Sequence, residues 1–251
     1  MLEEPYRWVE AIQNRREYLD DQLRGASPVV GLSYEHGILL LTTTPGPRKL
    51  FEVYNDLSFA AIGHPADIEK LRKAVIDIAH LEAFNFSASD VSLQRLVSFG
   101  IGPLIKAAFD EIFRSPFTAR VLMAELDPQT GRDQFFVIDA DGSFRGQGQK
   151  AAVAGSEVSA AAILEALGDG GAERSLSEAL DAGLQAWAAG RLNLESETTS
   201  LPDTEAVESC LREALESQRV EAAVLDRTRP GKSKFELLST EDIDAALAAY
   251  R

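Results

Sequence analysis

Apolar and polar residues alternate along this chain in two rhythms, and the switches between them divide it into batches. After Pro5 comes a helical spacing: Val9, Ile12, Leu19 and Leu23 fall on one stripe, while Arg15, Arg16, Glu17 and Asp20 supply charge. Glu3 and Glu4 ahead of Pro5 suit a first helical turn, and Gly25 suits its end, so the spacing predicts a helix over Pro5 to Arg24. Two strands follow, Pro28 to Leu32 and Gly37 to Thr42, joined by a turn through Ser33-Tyr34-Glu35-His36. The run Ile38-Leu39-Leu40-Leu41 is apolar on both faces, as a strand between two layers must be. Thr44-Pro45-Gly46-Pro47 reads as a loop, and short strands are expected at Leu50 to Tyr54 and Phe59 to Gly63.

The period then lengthens. Ile68, Leu71, Val75 and Ile78 mark a helix from Pro65 to about Glu82. A second is expected from Ser89 to Phe113, with Leu93, Leu96, Val97, Leu104, Ala108 and Ile112 inward and a kink where Gly100, Gly102 and Pro103 fall. Strands return at Ala119 to Leu126, Gln134 to Ile138 and Ser143 to Gln147, with Asp141-Gly142 as a tight turn. Ser156 to Leu167 and Ser175 to Ala189 are helical again, the second opening on a Ser175/Glu178 capping box. Residues 191 to 203 read as a polar linker and Thr204 to Ser217 as an extra helix. Val220 to Leu225 and Lys234 to Leu238 form a last hairpin, and Ser239 to Tyr250 a final helix capped by Ser239. Batches of strands with short turns favour antiparallel sheets, and helix pairs between them favour covering layers. The expected fold is α+β: a four-layer αββα sandwich of two antiparallel sheets, forming one domain over residues 1–251.

Composition changes this picture little. The chain is 251 residues long, 45% hydrophobic and 26% charged, ordinary for a packed domain. Its formal charge of −15, from 40 acidic against 25 basic residues, argues against nucleic acid or an anionic membrane as a main partner. No stretch approaches the ~20 apolar residues of a membrane span, and Met1 to Arg24 lacks the apolar centre of a signal peptide, so a cytoplasmic location is expected. Cys210 is the only cysteine and reads as a helix position. His36, His64 and His80 lack metal-site spacing, and the glycines from Gly142 to Gly148 precede a strand, not a phosphate-cradling helix. No metal or cofactor is expected. Trp187 continues the apolar stripe of its helix and reads as core.

Several strings share their order with a known family. Ser27-Pro28-Val29-Val30-Gly31-Leu32 with Gly37-Ile38-Leu39-Leu40 resembles the opening hairpin of proteasome α subunits of the actinobacterial kind, in the amino-terminal-nucleophile superfamily. Lys49 to Tyr54 with Phe59 to Gly63 resembles the next strand pair, Asp139 to Gly142 with Lys150 to Ser156 the approach to the third large helix, and Val220 to Asp226 with Arg229-Pro230 the closing hairpin. Residues 191 to 217 fit the pattern least well and read as an insertion.

That resemblance separates two kinds of subunit. A catalytic β-type subunit attacks with an amino-terminal threonine whose own α-amine takes the hydroxyl proton. Here the corresponding position is Ser27, preceded by Ala26; Thr42, Thr43 and Thr44 lie inside the chain, and Thr43 stands where the β-type acid would be. Lys49 falls near the β-type lysine, but α subunits carry a lysine there too. The helix after Pro5 stands where α subunits keep one, so no catalytic residue is expected. The resemblance implies heptameric outer rings on a β-subunit ring, a gate segment at Met1 to Trp8 (Pro5, Tyr6 and Trp8 its key members, with the helix proper at 9–24), and a pocket in which Lys49 meets the carboxylate tail of a ring-shaped ATPase activator. Unfolded proteins would pass through. Two rivals remain: a self-processing peptidase with Ser27 as nucleophile, disfavoured by Pro28, and a ring protein that assembles without a β partner.

Overall fold

The computed structural model describes residues 4–111, 113–127, 132–196, 198–248 and 250, with side chains from Trp8 onward. Two five-stranded antiparallel sheets lie at its centre. The first runs β10 (Phe235–Leu237), β9 (Arg219–Asp226), β2 (Gly37–Thr44), β1 (Val29–Tyr34), β8 (Lys150–Val153). The second runs β3 (Leu50–Tyr54), β4 (Leu57–Gly63), β5 (Ala119–Leu126), β6 (Asp133–Ile138), β7 (Phe144–Gln147). Three apolar clusters account for the layering. One lies between the sheets and includes Ile38, Leu40, Leu122, Phe135 and Ala223. A second joins Leu39, Leu41 and Val224 to Ile163, Leu184 and Trp187 of the helices α5 (Glu157–Leu167) and α6 (Leu176–Leu192). A third joins Phe59, Val121 and Ile138 to Leu71, Val75, Leu96 and Ile105 of the helices on the other face, α2 (Pro65–Asn85) and the run from α3 (Leu93–Arg95) to α4 (Gly102–Asp110). Successive residues of β2 therefore serve different cores, which is why every one of its eight residues is buried.

The expected second helix of the first pair is the largest departure. It begins at Leu93, not Ser89, because Ser87 Oγ accepts the Ser89 N–H at 3.2 Å and holds that stretch in a local turn. The run comprises α3 (Leu93–Arg95), a π-helical segment (Leu96–Ile101) and α4 (Gly102–Asp110). Pro103 has no N–H to give, and its ring crowds the carbonyl four residues back; the Gly102 N–H reaches instead to Val97 O, five residues back. The extra residue rotates the register. Leu104, expected inward, faces outward, and Ile105 and Phe109 take the buried side. Ile112 lies outside the described residues.

The last turns of the chain are fixed by caps. Ser175 and Glu178 form the expected capping box on α6, and Ser239 with Asp242 forms another on α8 (Thr240–Leu247). Within residues 191–217, read from sequence as an insertion, Asn193 and the helix that follows pack onto the domain. Asn193 is buried and exchanges hydrogen bonds with Ser200 in both directions (2.8 and 3.1 Å), folding the linker back. The next helix, α7 (Thr204–Ser217), buries Leu211 in the helical layer with Val207, Cys210 and Ala214 packed behind it. Burial raises the Cys210 thiol pKa, so it has none of the thiolate character of a reactive cysteine.

Candidate functional site

Among its described side chains, the amino-terminal helix α1 (Glu4–Leu23) reaches the inter-sheet core from Ile12 onward. Leu19 and Leu23 are buried in the inter-sheet cluster and Ile12 is packed against it, whereas Val9, expected on the same stripe, is exposed. Polar contacts set the same boundary. Arg120 of β5, 8% exposed, donates to Asp20 at 2.6 Å, to Asp139 at 2.9 Å, and to the carbonyls of Ala154 and Gly155 at 3.1 Å each. One guanidinium thereby joins α1, both sheets' connecting segments and the entry to α5. Arg15 donates to the carbonyls of Glu111 (3.0 Å) and Arg114 beyond the end of α4.

The structure places Pro5, Tyr6 and Trp8 within the first turns of α1, so the helix begins five residues earlier than the boundary expected at residue 9. Met1 to Glu3 lie outside the described residues. Trp8 is half-exposed and lines a cavity of about 480 Å³ with Ile12, Arg15, Tyr18, Phe109 and Phe113.

Immediately after α1 the chain enters β1 through Ser27. Ser27, Thr43 and Lys49 come together here. The Trp187 indole N–H donates to Ser27 Oγ at 3.1 Å; Ser27 Oγ lies 3.1 Å from Thr43 Oγ1; and Thr43 Oγ1 donates to Gln218 Oε1 at 2.6 Å. With the threonine proton directed at Gln218, the Ser27 proton points at Thr43, a hydroxyl that cannot act as a base. Thr42 Oγ1 donates to Pro28 O at 2.7 Å. The Ser27 nitrogen is an amide joined to Ala26, with α1 before it, so no α-amine is present beside the hydroxyl.

Lys49 lies at the entry to β3, beside this hydroxyl chain. Its Nζ donates to Ser27 O (3.2 Å) and Thr43 O (3.4 Å), and its backbone N–H, with that of Leu50, is held by the Glu221 carboxylate of β9 at 3.0 and 3.1 Å. Glu221, 8% exposed, thus bolts the start of one sheet to the other. Burial lowers the Lys49 pKa to about 8, with Glu221 opposing the shift. Lys49 also lines a cavity of about 390 Å³ with Pro45, Pro47, Phe51, Pro65 and Ile68, between the β2–β3 loop and the start of α2. Trp187, Gln218 and Glu221 were not singled out by sequence as site residues. Trp187 alone carried a clue, since a buried indole N–H needs an acceptor.

A four-layer sandwich that opens on such a hairpin, with hydroxyl, hydroxyl and lysine at the junction of β1, β2 and β3, belongs to a definite class. The proteasome subunit family matches residues 24–191, and the chain belongs to that family. Within it the likeness is to α subunits, and it extends beyond the matched span to α1 and the closing hairpin. The chain is 27% identical to the proteasome subunit alpha of Streptomyces scabiei over 96% of its length and 90% of that relative. It is 28% identical to that of Streptosporangium roseum over 97% of this chain and 86% of the relative, and 28% identical to that of Thermomonospora curvata over 96% of each.

Proposed function

We propose that this chain is a non-catalytic α-type subunit that closes into an outer ring on a ring of proteolytic β subunits, admits substrate through a gate, and docks a ring-shaped ATPase. The observation that carries this reading is the occupied amino side of Ser27. The position that would need a free amine leads directly into α1, and α1 is held to the sandwich by Leu19, Leu23 and the Arg120–Asp20 pair. A chain built this way scaffolds the hydrolysis its partners perform.

Activator docking is assigned to Lys49. Two of its three ammonium N–H groups are engaged by carbonyls, and the third remains for a carboxylate entering the adjacent cavity, whose walls suit an apolar tail. The gate is assigned to Met1 to Trp8. With Pro5, Tyr6 and Trp8 in the helix, gating would involve the first turns of α1, where the described side chains of Trp8 and Val9 are exposed.

The test is co-expression with a β-type chain. The expected results are a stacked-ring particle on native mass measurement, an α chain of unprocessed mass, and a covalent peptidase inhibitor that labels only the β chain. Deleting Met1 to Tyr6 should raise peptide hydrolysis by that particle. An α chain trimmed to begin at Ser27 and labelled by the inhibitor would overturn the assignment, and equal hydrolysis before and after deletion would remove the gate.

A further inference from the structure

At the far end of β1 from Ser27, a cavity of about 410 Å³ opens between the β7–β8 turn and the loop joining α5 to α6. Its floor is apolar: Leu32 of β1 with Leu164 and Leu167 of α5. Its walls carry bare backbone. A Cβ added at Gly148, Gly168 or Gly170 would meet nothing within 4 Å, so the space beside each is open. Two cations line it, with different commitments. Lys150 Nζ donates to the carbonyls of Leu164 and Gly168 at the end of α5 and lies 3.4 Å from the fully exposed carboxylate of Asp169, so its donors are spent. Arg174 spends only Nη2, on Leu167 O at 3.0 Å. Its Nε and Nη1 have no acceptor among the described residues. The acid that feels its charge, Glu178, is committed to the α6 capping box. In a chain of net charge −15, a guanidinium with free donors on a cavity wall is equipped to recognise an anion. The same wall carries an idle acceptor. Gln147 Oε1 is buried and receives no hydrogen bond from the described residues. Buried acceptors without donors are uncommon, and one that borders a cavity can be satisfied by what enters it.

We propose that this cavity binds the carboxyl terminus of a polypeptide. The carboxylate meets the free N–H groups of Arg174, the amide N–H of the last residue donates to Gln147 Oε1, and an apolar terminal side chain covers Leu164 and Leu167. The idle acceptor argues for a peptide over a bare anion such as phosphate, which brings no N–H. The leucine floor argues the same way, since a hydrated anion gains nothing from it. The site is separate from the Lys49 cavity: Lys49 stands beside Ser27 at the entry to β1, and this cavity lies beside Leu32 near its exit. It depends neither on ring assembly nor on the gate.

The probe is acetyl-leucine, titrated into the full chain and followed by amide chemical shifts. Two controls each remove one feature: acetyl-leucinamide lacks the carboxylate, and 4-methylpentanoate keeps the carboxylate and side chain but lacks the N–H. The expected result is saturable binding of acetyl-leucine, with shifts at Gln147 to Lys150 and Gly168 to Gly171. Affinity should be weaker by about tenfold or more for each control, and by a similar factor for acetyl-leucine in Arg174→Gln. The ligand comparisons use the unaltered protein and so do not depend on the variant folding. Equal binding of the amide would remove Arg174 from the site, and equal binding of 4-methylpentanoate would remove the peptide. Shifts confined to the Lys49 cavity, or no saturable binding, would overturn the proposal outright.

Discussion

Replacing Arg120 by methionine is the sharpest test of how α1 is held. The guanidinium is 8% exposed and its hydrogen bonds run to Asp139, Asp20, Ala154 O and Gly155 O. Methionine fills most of the space and supplies no donor. The partners fare unequally. The Asp20 carboxylate is 54% exposed and can turn to water, but that of Asp139 is 24% exposed, and the two carbonyl contacts are buried. Breaking a buried ion pair from one side costs about 3–5 kcal/mol, most of it the uncompensated charge left behind. For a chain of this size each kcal/mol lowers the melting temperature by roughly 2–4 °C, so a fall of about 6–20 °C is expected in thermal unfolding of the isolated chain. Asp20→Asn, which removes only the exposed partner, should cost about 1 kcal/mol or less. Amide hydrogen exchange adds a spatial readout, with protection lost first at Leu19 and Leu23. If Arg120→Met melted within 2–3 °C of the parent (about 1 kcal/mol) with α1 still protected, the claim that this cation fastens the helix would fall.

Three further outcomes follow from distances and burial. Gly190→Ala should destabilise by about 1–2 kcal/mol in thermal unfolding, because a Cβ there would stand 2.4 Å from Ile163 Cγ1 and overpacking outweighs the gain in helix propensity; Ile163→Val should recover part of the loss, and stabilisation by Gly190→Ala would contradict the close approach of α5 and α6. Trp187→Phe should cost about 2–3 kcal/mol, from lost volume in a fully buried site and an unpartnered Ser27 hydroxyl, and an unchanged denaturation midpoint would refute the hydrogen bond's importance. Docking of an activator tail peptide needs the Lys49 ammonium. Since burial has lowered that pKa to about 8, affinity should hold below pH 8 and fall by about tenfold for each pH unit above it, as the free-state lysine loses its proton. A profile flat to pH 10, or undiminished binding in Lys49→Ala, would remove Lys49 from the pocket.

The layered fold was legible because its signals are local. An apolar run with no polar face, Ile38 to Leu41, has one comfortable place, between two layers, and β2 occupies it. Ser175 with Glu178 three residues on marks a helix start, and both halves of that box form. What escaped was set by contacts between distant segments. The π-helical turn before Pro103 exchanged Leu104 for Ile105 on the buried face, a shift that a constant 3.6-residue period cannot register. Val9 continues the stripe of α1, yet the sandwich ends before reaching it. At the site, sequence brought forward Ser27, Thr43 and Lys49 by resemblance. That Trp187 and Gln218 would terminate the hydroxyl chain at its two ends, 160 and 175 residues away, was not encoded in any nearby spacing.

The row of hydrogen bonds from indole to serine to threonine to glutamine has an implication for anyone wishing to convert this scaffold into a protease. Installing threonine at position 27 would leave its hydroxyl clasped by the same neighbours and its nitrogen tied in a peptide link. A free amine at that nitrogen would also require severing the preceding segment, and a free lysine would require releasing Lys49 from the two carbonyls it now serves. Those alterations would have to arrive together, because either one alone leaves the hydroxyl without a base beside it.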